Sequence, residues 1–182
     1  THWNVGSWTI GSTSDDLGFV QAMIDRISTN YNIDNKRIYS TGFSNGGFFS
    51  LKLACQLSNK FAAIASVGGS MTPETYTNCN AQHPMPVLFI HGTADGTVPY
   101  DGVVWSEPLP TAISYWVNTN NCNPNVSIAL LPDLDPTDGS TVEHHIYGQG
   151  DSNVTVELYK IINGDHSWPG TSDTNSNANR DI

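Results

Sequence analysis

The run PVLFIHG, residues 86–92, is apolar at nearly every position and is bounded by Pro and Gly. Successive side chains of a strand point to opposite faces, so a half-exposed strand alternates apolar with polar residues. A run without that alternation is buried on both faces, as in the centre of a parallel sheet. Parallel neighbours cannot be joined by a tight hairpin and need a crossover, usually a helix. The rest of the chain is therefore expected to carry helices between strands.

Those helices are present in the pattern. Residues 14–31 read as a helix, with Ser14 and Asp15 as capping oxygens and acidic residues in the first turn. Leu17, Val20, Met23, Ile24, Ile27 and Tyr31 recur at helical spacing and are expected to face the core. NIDNK, 32–36, is a turn, and RIYSTG, 37–42, a short strand. Residues 45–58 form a second helix with Phe48, Phe49, Leu51, Leu53, Ala54 and Leu57 as its apolar positions. FAAIASVGG, 61–69, is another buried strand. A third helix covers 107–120 around Ala112, Ile113, Tyr115 and Trp116, and strand candidates follow near 140–147 and 153–161. Strand and helix alternate, which predicts one α/β domain over 1–182: a mainly parallel sheet with helices on both faces. The tail from Gly170 is polar and is expected to be loosely held.

Seven basic against seventeen acidic residues give a net charge of −10 over 182 residues. Such a surface repels phosphate backbones and anionic lipid, so neither nucleic acid nor membrane is an expected partner. No apolar run reaches transmembrane length. The surface is instead polar and uncharged, a style that suggests a secreted protein. The chain opens at Thr1 without Met or a leader, which reads as a processed or partial sequence.

Cys55, Cys79 and Cys122 are three cysteines without a Cys-x-x-Cys pair, so no zinc ribbon or redox motif is expected. Either all three are buried thiols, or Cys55 and Cys79 are bridged and Cys122 is left over. Asn125-Val126-Ser127 and Asn153-Val154-Thr155 are sequons for a glycosylating host. PDLDPTDG, 132–139, resembles the start of a calcium loop through Asp133 and Asp135. Thr137 replaces the third ligand, Gly139 comes one place late and the closing Glu is missing, so it reads as an acidic surface loop.

The chemistry-bearing motif is Gly42-Phe43-Ser44-Asn45-Gly46. Gly-x-Ser-x-Gly alone is weak, but here it lies between a predicted strand and a predicted helix. In that context the Ser sits on a sharp, strained turn with its hydroxyl raised above the sheet. Gly42 and Gly46 are both expected to be needed because a side chain at either would collide with its neighbours. The following helix points its N-terminus at the site, where free N–H groups favour an anion. The backbone N–H of Asn45 is the expected donor to an oxyanion.

A serine hydroxyl needs a base, and the base an orienting acid, in the chain order Ser, Asp or Glu, then His. Asp95 follows the 86–92 strand by a short loop, at the carboxyl edge of the sheet where open α/β sheets bind ligands. His166 follows the last strand candidate in NGDHSWPG. The candidate set is thus Ser44, Asp95 and His166. Asp101 is an alternative acid, and Asp165 adjoins the base but is expected to diverge from it. Of the other histidines, His91 reads as a hydrogen-bonded structural residue in a buried strand. At most one of His144 and His145 can point inward, and His2 and His83 precede the acid. No metal or cofactor is needed.

The segments DDLGFVQAMIDRI, RIYSTGFSNGGFFSLKLAC, FAAIASVGGSM, HGTADGTVPYDG and GDHSWPG together resemble the esterase/polyhydroxybutyrate depolymerase group of α/β-hydrolases, which includes feruloyl and acetyl xylan esterases. The resemblance covers nearly all of residues 15–170 and puts nucleophile, acid and base on Ser44, Asp95 and His166. It implies an extracellular serine esterase without a cofactor, acting on feruloyl, acetyl or hydroxyalkanoate esters of plant polysaccharide or polyester. Trp168, two residues after the base, could line the substrate pocket, and Trp105 is a weaker candidate. The group also has strands ahead of the first helix, with a His-Gly loop supplying a second oxyanion donor. No such loop precedes Ser44, so the N-terminal strands of the fold are expected to be missing from this chain. A rival reading is an inactive hydrolase fold that holds polysaccharide through Trp3, Trp8, Trp105 and Trp168.

Overall fold

The computed structural model describes residues 2–171, 179, 181 and 182. Helix α1 spans Asp16–Asn30 and leads to strand β1, Tyr39–Phe43. Helix α2, Asn45–Gln56, then connects to β2, Ala63–Val67. The short helix α3, Pro73–Thr77, precedes β3, Val87–Gly92. Helix α4, Leu109–Thr119, is followed by β4 (Ser127–Leu130), β5 (Thr141–Tyr147) and β6 (Val156–Ile162).

The six strands form one sheet in the order β1-β2-β3-β6-β5-β4. β1, β2, β3 and β6 are parallel, and β5 and β4 are antiparallel additions. The 86–92 run is the centre of the parallel part: Phe89 is fully buried and Val87 nearly so. Phe48, Leu51, Met71, Met85, Leu109, Trp116 and Leu158 are among the other large side chains buried in the core. Each large side chain so buried stabilises by about 1.5–3 kcal/mol.

Local chemistry sets the ends of the elements. Asp15 caps α1 by accepting from Gly18 N–H at 2.8 Å. Thr72 caps α3 by accepting from Thr75 N–H, with Pro73 in the first helical position. Buried Asn120, just past α4, clamps the approach to β3 through two bonds to the Met85 backbone at 2.7 and 2.9 Å. Cys55 at the end of α2 is bridged to Cys79, while Cys122 is a buried free thiol. The half-bridged alternative is thus the one found.

The predicted core face of α1 is only partly buried. Val20 and Ile24 are buried, but Met23, Ile27 and Tyr31 are exposed, as is Phe19. β1 is the edge of the sheet among the described residues. A groove of about 1120 Å³ runs beside it, lined by Phe19, Met23, Tyr39, Phe43, Asn45 and Phe49 among others. α1 therefore buries one narrow stripe and leaves the adjacent one open along the free edge.

The N-terminal segment crosses α2 as an extended strap. Trp3 N–H donates to Asn45 Oδ1, and Asn45 Nδ2 donates back to the Trp3 carbonyl. The Trp3 ring stacks on Phe49 at 4.6 Å, and Lys52 holds the Asn4 carbonyl. Of the tail, Asn179 is fully buried and bonds Ser140 Oγ at 2.9 Å, so that point is held firmly. Residues 172–178 and 180 lie outside the described residues.

Candidate active site

One residue separates β1 from α2, and it is Ser44. Its backbone is left-handed, φ 56° and ψ −119°. A non-glycine residue held in a sparsely populated conformation costs about 1–3 kcal/mol and persists only where its surroundings dictate it. They do so here: Ser44 N–H donates to the Val67 carbonyl of β2 at 2.8 Å, and the Ser44 carbonyl accepts from Gly47 and Phe48 N–H. A Cβ on Gly42 would overlap the Gly46 backbone, coming within 2.8 Å of its Cα. A Cβ on Gly47 would meet Ser66 Oγ at 2.6 Å. The expectation for Gly46 needs correcting, because a Cβ there would meet nothing within 4 Å. The crowding around the turn falls on Gly42 and Gly47.

Asn45 opens a helix of 12 residues, and its N–H has no acceptor among the described residues. It is available to an anion at the positive end of α2.

The loop after β3 carries Asp95 and the loop after β6 carries His166. Two glycines and three bonds bring these loops together. A Cβ on Gly92 would overlap the Gly164 carbonyl. Ala94 N–H donates to that carbonyl at 3.0 Å, Thr93 N–H to the Ile161 carbonyl, and Asn163 N–H to Thr93 Oγ1. The result is a hydrogen bond across 71 residues of sequence: His166 Nδ1 lies 2.8 Å from Asp95 Oδ2. A carboxylate only accepts, so Nδ1 carries the proton and Nε2 is left as the basic nitrogen. The other oxygen, Asp95 Oδ1, accepts from Thr97 and Val98 N–H at 2.9 and 2.7 Å.

Asp95 is 5 % exposed. Burial pushes its carboxyl pKa up, but the His166 bond, the Val98 N–H and the charges of His166 and His91 together outweigh that, and the pKa falls below the ordinary carboxylate value. The His166 ring lies on Phe43, centroids 4.7 Å apart. A Cβ on Gly68, at the end of β2, would come within 3.3 Å of the same ring. The His166 ring thus lies directly against the residue that precedes Ser44. Among the described residues no hydrogen bond joins Ser44 Oγ to the ring.

The sequence matches a family model described as phospholipase/carboxylesterase over residues 12–125. The chain belongs to that family. Similar proteins include the bifunctional acetylxylan esterase/xylanase XynS20E of Neocallimastix patriciarum, 30% identical over 90% of this chain and 25% of the relative. Feruloyl esterase B of Piromyces equi is 33% identical over 66% of this chain and 24% of its own. Putative esterase NocK of Nocardia uniformis subsp. tsuyamanensis is 28% identical over 85% and 49%. The chain spans about a quarter to half of the length of these relatives. In fold it is similar to the acetyl xylan esterase from Aspergillus awamori, with a TM-score of 0.60 at 14% identity over 87% of this chain and 64% of that one. The α/β-hydrolase fold read from the sequence accords with this likeness.

The rival residues of this phospholipase/carboxylesterase family member fall elsewhere. Asp101 is exposed, and Asp165 turns its carboxylate to the His166 backbone N–H rather than the ring. His83 bonds the Ser58 and Pro84 carbonyls, His144 bonds Glu157, and His145 bonds Glu143. His91 is buried and bonded to the Val98 carbonyl, as expected of a structural histidine. Trp168 is 44% exposed and has no ring partner among the described residues. Trp105 is packed edge-on against Trp8, whose ring also meets Phe48. The β1 groove reaches Asn45 but is lined by none of Ser44, Asp95 and His166. Sequence reasoning missed Phe43, Gly68, Thr97 and Val98. The x of Gly-x-Ser and the Asp-x-Thr turn were the available signals.

Proposed function

We propose that this chain is the catalytic unit of a serine carboxylesterase. Ser44 Oγ attacks the ester carbonyl carbon while His166 Nε2 takes its proton. The Asn45 N–H faces the oxyanion that forms. His166 then returns the proton to the departing alcohol as the C–O bond breaks, leaving an acyl group on Ser44. Water, deprotonated by the same nitrogen, attacks that acyl carbon; the acid leaves and Ser44 regains its proton. Asp95 stabilises the imidazolium in both halves.

The observation that carries this reading is the Asp95–His166 bond at 2.8 Å beside a strained serine turn. A binding module needs neither the bond nor the strain. The substrate proposed is a feruloyl or related ester of plant polysaccharide, supported by relatives named as feruloyl and acetylxylan esterases. Acetylated xylan and polyhydroxyalkanoate are the next candidates. Secretion accords with the Cys55–Cys79 bridge, since disulfides persist in oxidising compartments.

Hydrolysis of p-nitrophenyl acetate by the wild-type chain, with Ser44→Ala as control, tests the reaction class. Rates that match in the two proteins refute it. Methyl ferulate, acetylated xylan and polyhydroxybutyrate, offered side by side, then test the substrate.

A further inference from the structure

His91 lies near the end of β3, four residues before Asp95, and is 2% exposed. The proposed reaction does not use it. Its Nε2 lies 2.8 Å from the Val98 carbonyl oxygen and 3.4 Å from Asp95 Oδ2, the oxygen that also holds His166. Both neighbours are acceptors, so Nε2 must carry a proton. Nδ1 makes no hydrogen bond of good geometry, though the Gly69 backbone lies near enough to favour a charged ring. Burial outweighs the pull of the Val98 carbonyl and Asp95 and lowers the pKa of His91, with His166 acting the same way. The ring is therefore neutral.

The other groups around it leave it so. Tyr100 meets His91 edge-on at 6.1 Å, and burial, with Tyr147, Asp101 and Glu143, pushes its hydroxyl pKa up to about 12. Lys160 is the register partner of His91 on β6, but its ammonium lies over the Tyr100 ring and 3.6 Å from Glu143.

These contacts form a continuous path from His91 to His166. His91 holds the Val98 carbonyl; the Val98 N–H holds Asp95 Oδ1; Asp95 Oδ2 holds His166. We propose that His91 is a positioning residue, whose neutral Nε2–H braces the 95–98 turn on β3 and so keeps Asp95 Oδ2 aimed at His166 Nδ1. Neutrality matters to this role. A cationic His91 would draw the Asp95 charge to itself and leave less of it for the imidazolium of His166. The inference rests on the reading of Asp95 and His166 as acid and base.

Three measurements test it. Nitrogen NMR of the wild-type protein is expected to find His91 neutral with its proton on Nε2; a proton on Nδ1, or a cation, overturns the proposal without any variant. The proton of the Asp95–His166 bond is expected as a far-downfield resonance. It should persist in His91→Gln, whose amide nitrogen can reach the Val98 carbonyl, and broaden away in His91→Leu and His91→Asn, which cannot supply that bond. On an ester substrate, His91→Leu and His91→Asn should lower kcat about tenfold with KM within twofold, while His91→Gln stays within threefold of wild type. A resonance that survives in a folded His91→Leu or His91→Asn protein ends the proposal, as does a Gln variant that loses it. If the His91→Leu protein does not fold, the Gln and Asn pair and the tautomer still decide. The two NMR readouts need no turnover, so they stand even if Ser44→Ala leaves esterase activity unchanged and the functional reading fails.

Discussion

The ring of Phe43 lies against that of His166, with centroids 4.7 Å apart and planes inclined by 33°. The residue before Ser44 is thus the floor beneath the His166 ring. Asp95 fixes one ring nitrogen of His166, and Phe43 fixes the plane in which the other swings. Aromatic contacts of this kind contribute about 0.5–1.5 kcal/mol beyond area burial. Phe43→Ala is expected to lower kcat roughly tenfold with little change in KM, and Phe43→Leu to recover most of the loss. Steady-state kinetics on a short-chain ester check this; an alanine variant with wild-type kcat would show that the loop alone orients the base.

Gly42 and Gly46 flank the same turn but differ in what surrounds them. Gly42→Ala forces a Cβ into the Gly46 backbone and is expected to destabilise by about 3 kcal/mol or more, at the upper end of overpacking. Gly46→Ala places its methyl in open space inside a helix, where alanine is favoured by about 0.5–1 kcal/mol. Thermal melts of the two variants should therefore move in opposite directions.

Asp95 has a folded pKa below the ordinary carboxylate value. The native state therefore binds the Asp95 proton more weakly than the unfolded chain does. The stability it supplies is fully present above the unfolded pKa of about 3.9 and is lost as pH falls through the lower, folded value. Asp95→Asn cannot titrate. The stability gap between wild type and this variant should be constant from pH 7 to 5 and shrink below pH 4. Urea titrations across that range measure it, and a gap that widened in acid would reverse the assignment.

The Cys55–Cys79 bridge ties the end of α2 to the segment after α3 across a separation of 24 residues. Closing a loop of that length stabilises by about 3 kcal/mol in the chain-entropy account. Reductant should lower the melting temperature by roughly 6–12 °C. Cys122→Ala should show the same drop, because Cys122 is buried, its thiol pKa is raised chiefly by that burial, and it takes no part in the bridge. A melt indifferent to reductant would argue against the bridge.

The sequence made the site more legible than its surroundings. Strand-turn-helix context picked out Ser44, and chain order picked out Asp95 and His166, which the fold joins across 71 residues. The long elements were legible because each buries a continuous stripe. Two short ones were not. β4 is exposed at all four positions, so it carries no burial pattern to read. α3 is only five residues long, and its signal was the capping pair Thr72 and Pro73 rather than periodicity. Periodicity also misled in α1, where a 3.6-residue repeat marks an apolar side without saying how much of it is covered. Met23, Ile27 and Tyr31 fit the repeat and yet face outward. The role of Gly46 was misjudged because crowding depends on which partner's Cβ points into the gap, which only three dimensions reveal.

The open flank of the sheet has a bearing on how this protein behaves in a tube. β1 ends the sheet among the described residues, and Phe19, Met23 and Tyr39 stand exposed on or near it. An uncovered strand edge bordered by apolar side chains is a template for another chain. The net charge of −10 opposes such encounters at low salt, and added salt screens it within about 10 Å at 0.1 M. Concentrated samples in moderate salt are thus expected to grow larger particles by light scattering while the fold itself remains intact, and dilution at low ionic strength to keep them single.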